Sequence, residues 1–148
     1  MSLPPLIRPF EPSDVTRVLE IQSASPEASQ WSAADYVRTT ENSCCGLVAV
    51  DREVVVGFAI CRITSDELEI LNIGVHPAHR RHGIASQLLS SILDQARTSG
   101  TKTCFLEVRH TNSAAISFYL RHGFSRAGRR PSYYSHPPGD ALLLSLPL

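Results

Sequence analysis

The segment Arg80-Arg81-His82-Gly83-Ile84-Ala85 joins an apolar, β-branched run to an amphipathic one, and its residue types suit the binding of an anion. A loop entering a helix presents unpaired N–H groups at the positive end of the helix dipole. Gly83 lets the backbone approach a phosphate with no side chain in the way, and Arg80 and Arg81 add positive charge. A basic, solvated loop whose glycine serves only its turn would carry the same residues. The G-x-x-x-x-G-K-[ST] spacing of a nucleotide P-loop is absent. Downstream, Glu107 in an apolar strand pattern and Tyr119 in an apolar helix pattern are of types that can take and give a proton. The same glutamate would also fit the solvent side of a half-buried sheet, and the same tyrosine would fit simple packing.

Metal and thiol chemistry are weaker readings. His76, His79 and His82 recur at three-residue steps, but Pro77 and the arginines give the stretch the character of a loop, with no neighbouring carboxylate or cysteine ligand. No metal is expected. Cys44, Cys45, Cys61 and Cys104 form neither a C-x-x-C pair nor the framework of a small secreted domain, so they read as reduced, partly buried thiols.

The elements that must position these residues follow from periodicity and punctuation. Leu6-Ile7-Arg8 begins as a strand, and Pro12-Ser13-Asp14 starts a helix with apolar spacing at Val15, Val18, Leu19 and Ile21, which Pro26 ends. Ser32 caps a short second helix over 33–37. From Cys44 the pattern turns to strands: 46–50, a turn at Asp51-Arg52, 54–60, and 68–75, which together predict three adjacent antiparallel strands. On the last of these, Glu69 is expected to share a face with Leu71 and Ile73. Ile84, Leu88, Leu89, Ile92, Leu93 and Ala96 make one apolar stripe of a helix that Gly100 ends. A strand over 103–108, a helix capped by Asn112, and final strands around 125–128 and 140–146 complete an α/β layered domain with a mixed sheet.

Arg80-Arg81-His82-Gly83-Ile84-Ala85 resembles the acetyl-CoA signature of the GNAT superfamily: Gln or Arg, two variable residues, Gly, one variable residue, then Gly or Ala. The resemblance implies a three-layer fold with a mixed central sheet of about six or seven strands and about four helices. It implies that acetyl-CoA is the co-substrate, that main-chain amides across Arg81, His82, Gly83, Ile84, Ala85 and Ser86 hold its diphosphate, and that Ile73, Gly74 and Val75 pair with the pantetheine arm. The run Glu107-Val108-Arg109, Asn112, Ala114-Ala115-Ile116, Tyr119 and Gly123-Phe124 is similar to the RimI-type enzymes, which acetylate protein N-termini. By that similarity Glu107 is the general base, directly or through water, Asn112 contacts the cofactor, and Tyr119 protonates the departing thiolate. Many GNAT enzymes place a carboxylate on the strand before the phosphate loop, which makes Glu69 a rival base.

The likeness extends to both ends of the chain, where Trp31-Ser32 resembles the family's Pro-Trp-Ser, with Gln30 in place of the proline. Arg129-Arg130-Pro131-Ser132-Tyr133-Tyr134 and Asp140-Ala141 resemble its Arg-Arg-x-Tyr-Tyr and Asp-Ala segments. Tyr133 and Tyr134 are candidates for the acceptor groove, with an aromatic loop covering the sheet as the alternative. The implied function is transfer of acetyl from acetyl-CoA to a primary amine, with a protein N-terminal α-amine, ribosomal protein included, as the acceptor. A small amine, a lysine side chain, or a non-catalytic acyl-CoA-binding module are the alternatives.

Composition limits the rest. The 148 residues suit one domain over 1–148, and 43% hydrophobic with 19% charged content is that of a globular chain. Basic and acidic residues balance at zero net charge, so no whole-molecule field favours nucleic acid or anionic lipid. Met1-Ser2-Leu3-Pro4-Pro5 lacks a signal-peptide pattern and no apolar run approaches the ~20 residues of a membrane span, so a cytoplasmic protein is expected.

Overall fold

The computed structural model describes residues 4–25, 29–40 and 44–148; Pro26, expected to end the first helix, and Met1 to Leu3 lie outside them. Seven strands form one sheet: β1 (Leu6–Pro9), β2 (Cys44–Asp51), β3 (Val54–Thr64), β4 (Glu67–Val75), β5 (Thr103–Arg109), β6 (Ser125–Ser135) and β7 (Pro138–Pro147). Among the described residues four α-helices accompany them: α1 (Val15–Ser23), α2 (Ala33–Arg38), α3 (Ile84–Thr98) and α4 (Ser113–Arg121). The spatial order is β1-β2-β3-β4-β5-β7-β6, with only β4 and β5 parallel. This is the mixed α/β sheet expected from the sequence, and α3 provides the crossover between its two parallel strands.

The sheet is covered on both faces. The apolar stripe of α3 packs with Cys104, Leu106, Ile116 and Leu144 in one cluster, while Val18, Ile21, Tyr36, Phe58 and Ile60 form a second cluster beneath α1 and α2. Leu88 and Leu89 are fully buried, and burial of that kind stabilises by about 1.5–3 kcal/mol per side chain. Ser32 caps α2 as its sequence predicts, accepting from Asp35 N at 3.1 Å while Asp35 reaches back to Ser32 N at 2.8 Å.

One irregularity opens the sheet. Across β3 and β4, Cys61 pairs with Ile70 but Ile60 pairs with Asn72, so Leu71 is an extra residue. The bulge reverses the alternation: Leu68 and Ile70 join the α3 cluster, Leu71 packs into the α1 cluster, and Ile73 and Val75 return to the α3 side. The face expected to hold Glu69, Leu71 and Ile73 together is therefore corrected, because an added residue shifts a period-2 pattern by one. Parallel pairing of β4 with β5 stops at Ile70–Leu106. Beyond it β4 stays with β3 as far as Val75, and β5 stays with β7 as far as Arg109.

Two further expectations are corrected. Cys45 and Cys61 face each other across β2 and β3 with Cα atoms 5.3 Å apart and are joined as a disulfide, so only Cys44 and Cys104 are free. Their 16-residue separation has no local signature; the hairpin register alone brings them together. The last two strands are also longer than expected, because residues 129–134 belong to β6. Pro131 is tolerated there since β6 is an edge strand, where a missing N–H leaves no ladder bond unmade.

Candidate active site

The end of β4 and the first turn of α3 are joined by a loop whose main-chain geometry suits an anion. After a short 3-10 turn at Pro77–His79, Arg81 has φ +67° and Gly83 φ +75°. A Cβ built on Gly83 would touch nothing within 4 Å. Glycine is favoured there by its left-handed backbone and not by lack of space. The first bond within α3 runs from Gln87 N to Gly83 O at 3.0 Å. The helix therefore supplies no partner for the amides of Ile84, Ala85 and Ser86. Arg80 ties the loop to the end of α1 by donating from Nη2 to Ser25 Oγ at 2.6 Å.

Beside this loop lies a cavity of about 530 Å³ lined by Ile73, Gly74, Val75, Arg81, Gly83 and Ile84 to Ser86, with Asn112 and Tyr119 opposite. His82 does not line it and is exposed. Gly74 is needed for packing, since a Cβ there would lie 2.8 Å from the Phe58 ring. The two helical walls are tied at one end. His122 Nδ1 lies 2.8 Å from the Phe118 carbonyl, which can only accept, so Nδ1 carries the proton and Nε2 at 3.0 Å accepts from Ser86 Oγ in the neutral ring.

A second cavity of about 640 Å³ occupies the gap between β4 and β5 on the other side. Glu107, Arg109, Trp31 and Tyr134 line it, and it shares Ile73, Asn112, Ala115 and Tyr119 with the first cavity. The two meet where β4 and β5 part. Asn112 caps α4 at this junction, its Oδ1 accepting from Ala115 N at 3.2 Å. Tyr119 is 4% exposed, and burial raises its pKa, so its phenol keeps its proton through the neutral range.

Glu107 is the only carboxylate among the described lining residues of either cavity. Its side chain is 12% exposed, and Oε1 accepts from Arg130 Nε at 2.9 Å. Tyr133 does not line the cavity; its pKa is raised, chiefly by hydrogen bonding with the nearby Glu107 carboxylate and then by burial. Oε2 is buried without a close hydrogen-bond partner among the described residues. A buried carboxylate oxygen left in that state favours an incoming N–H donor. Glu69 is not brought to the junction: it lies in a separate recess, paired with Arg62 at 2.5 Å.

Several of the bonds in this region carried no signal in the sequence. Gln22, Tyr36 and Asn72 are buried and mutually bonded: the Tyr36 hydroxyl donates to Gln22 Oε1, and Asn72 Nδ2 donates to the Tyr36 oxygen at 3.0 Å. Gln22 also grips Trp31 through both main-chain groups, at 2.8 and 3.1 Å, which fixes the wall of the second cavity. Arg109 donates to Pro137 O at 2.8 Å and stacks 4.2 Å over the Tyr134 ring. These partners come from distant elements, so no local spacing reveals them.

Residues 13–124 match the model of the Acetyltransferase (GNAT) family. The chain is similar to the [ribosomal protein bS18]-alanine N-acetyltransferase of Haemophilus ducreyi, 30% identical over 144 residues that cover 95% of this chain and 99% of that protein. Among solved structures it resembles the ribosomal-protein-S18-alanine N-acetyltransferase from Escherichia coli, with TM-score 0.86 and 29% identity over 96% of this chain and 92% of that one. It also resembles Ard1 from Thermoplasma volcanium, with TM-score 0.87 and 29% identity over 99% of both chains. With residues 13–124 matching the family model and a relative 30% identical over nearly the whole chain, this chain belongs to the GNAT family of acetyl-CoA-dependent N-acetyltransferases.

Proposed function

We propose that this enzyme acetylates the N-terminal α-amine of a protein, a ribosomal protein of the alanine-starting type in particular, by direct attack within a ternary complex. The observation that carries the reading is the junction: two cavities that meet where β4 and β5 part share Ile73, Asn112, Ala115 and Tyr119. Donor and acceptor can thus meet end to end without a covalent enzyme intermediate. The likeness to bS18-alanine acetyltransferases over nearly the whole chain supports the choice of acceptor. So does the charge of the acceptor cavity, which offers one carboxylate, already paired with Arg130, beside the cation Arg109. A polyamine or a lysine-rich segment would find little to balance its further charges there.

The residues fit the donor. The amides of Ile84 to Ser86, with the left-handed turn at Arg81 and Gly83, suit a diphosphate. The main chain of Ile73 to Val75 suits an amide-bearing arm. Bound there, acetyl-CoA supplies an activated acyl thioester. An α-amine has a pKa of about 7.7–8.0, so most of it must lose a proton before it can attack. Glu107, the carboxylate at this cavity, takes that proton directly or through water. Tyr119 keeps its own proton in a buried site until the leaving sulfur needs it. A β4 amide fixed before charge develops at the acyl oxygen lowers the barrier by about 3 kcal/mol. The setting expected for this chemistry is the cytoplasm; among the described residues no helix is long and apolar enough to cross a membrane.

Mass spectrometry of the enzyme with acetyl-CoA and a peptide panel tests the reading. Acetylation at free N-termini, with alanine-starting peptides fastest, is expected. Faster reaction at lysine ε-amines or polyamines would replace this acceptor with another, and tight acetyl-CoA binding without any transfer would make the protein a non-catalytic acyl-CoA module.

A further inference from the structure

The Glu107 ion pair depends on an irregular edge strand. Arg130 and Tyr133 reach Glu107 from β6, which is exposed along almost its whole length. Within it the register passes from Arg130–Ala141 directly to Tyr134–Gly139. Residues 131–133 therefore stand against Asp140 alone. Pro131 has no N–H for a ladder, and Ser132 holds φ +54°, an unfavourable backbone for a residue with a side chain. An exposed edge has no packed layer to impose such a shape, so something local must hold it.

We propose that Asp140 is a positioning residue for Glu107, acting through this bulge. Its carboxylate spans the irregular segment: Oδ2 accepts from Arg129 Nε at 2.7 Å and Oδ1 from Ser132 N at 2.8 Å. These bonds hold its pKa below the usual carboxylate range, the Ser132 amide being the larger cause. Asp140 is itself fixed to the end of β5, where its carbonyl accepts from His110 N at 3.0 Å. One residue thus links the strand that carries Glu107 to the bulge that supplies its partners. Arg130 lies between the two anchored residues, Arg129 and Ser132, and Tyr133 directly follows them, so the guanidinium is held on Oε1 of a carboxylate that lines the cavity. Arg109 and Tyr134, which line the same cavity as Glu107, are engaged with each other.

The inference rests on Glu107 being the base, and a double-mutant cycle separates the two ideas. Single-turnover acetylation of an alanine-starting peptide is measured for wild type, Asp140→Ala, Glu107→Gln and the double variant, with KM for acetyl-CoA and thermal midpoints alongside. Asp140→Ala is expected to slow the chemical step about tenfold while KM for acetyl-CoA stays within about twofold, and in the Glu107→Gln background it should add almost nothing. Asp140→Asn, which keeps an acceptor for Ser132 N, should lose about threefold and serves if the alanine variant fails to fold. A wild-type rate in either Asp140 variant, or losses that multiply in the double variant, would overturn the positioning role while leaving Glu107 as base. A wild-type rate in Glu107→Gln would overturn both.

Discussion

The two cavities to which the proposed function assigns donor and acceptor are built by different means. The proposed donor side is made of main chain: a strand edge, a left-handed turn at Arg81 and Gly83, and the open first turn of α3, all within residues 73–86. The proposed acceptor side is made of side chains delivered from far apart: Glu107 from β5, Arg130 and Tyr133 from β6, Trp31 held by Gln22, and Asn72 at the β4 bulge. Main-chain sites are damaged by changes of backbone conformation, and side-chain sites by loss of single atoms. Substitutions on the two sides should therefore separate donor affinity from acceptor chemistry.

Glu107→Gln gives the largest expected effect. It should lower turnover by about 10²- to 10⁴-fold near neutral pH with acetyl-CoA affinity intact by calorimetry. Loss of donor affinity as well would erase the distinction between the two sides. Tyr119→Phe removes one buried hydroxyl at the junction and should slow the chemical step about 10²-fold, with little change in thermal midpoint; an unaltered single-turnover rate would end its role as acid. Gly83→Ala should act in the opposite sense. With nothing near the added Cβ, only the left-handed backbone is penalised, by about 1–2 kcal/mol, so donor affinity should fall about tenfold while KM for the peptide holds. An equal rise in both constants would show that the loop also shapes the acceptor cavity. Tyr36→Phe is the mildest. It leaves Asn72 and Gln22 without their shared partner, so stability should fall by about 1–3 kcal/mol and peptide KM should rise a few-fold, donor KM remaining near wild type.

Legibility in the sequence followed the same divide. The α3 stripe from Ile84 to Ala96, the Ser32 and Asn112 caps and the β2–β3 hairpin were readable because each is specified by neighbours within a turn or two. The bulge at Leu71 was not readable. It depends on how β4 pairs with β3, and it moved Glu69 to the Arg62 recess, away from Ile73. The disulfide between Cys45 and Cys61 was missed for the same reason, since a pairing register has no mark in either segment alone. The bulge in β6 was hidden too: Pro131 between arginine and serine reads as a loop, and only the pairing with β7 on both sides of it, bridged by the Asp140 carboxylate, makes it a strand.

By itself, then, the chain determined its elements, its donor loop and the identity of the groups able to transfer a proton. Those properties arise from short-range sterics, hydrogen bonding and the 3.6- and 2-residue periods. Tertiary structure alone decided where β4 and β5 part, which carboxylate stands at that gap, and which cation holds it. Those are outcomes of register between strands far apart in sequence, where one extra residue reverses every side chain beyond it.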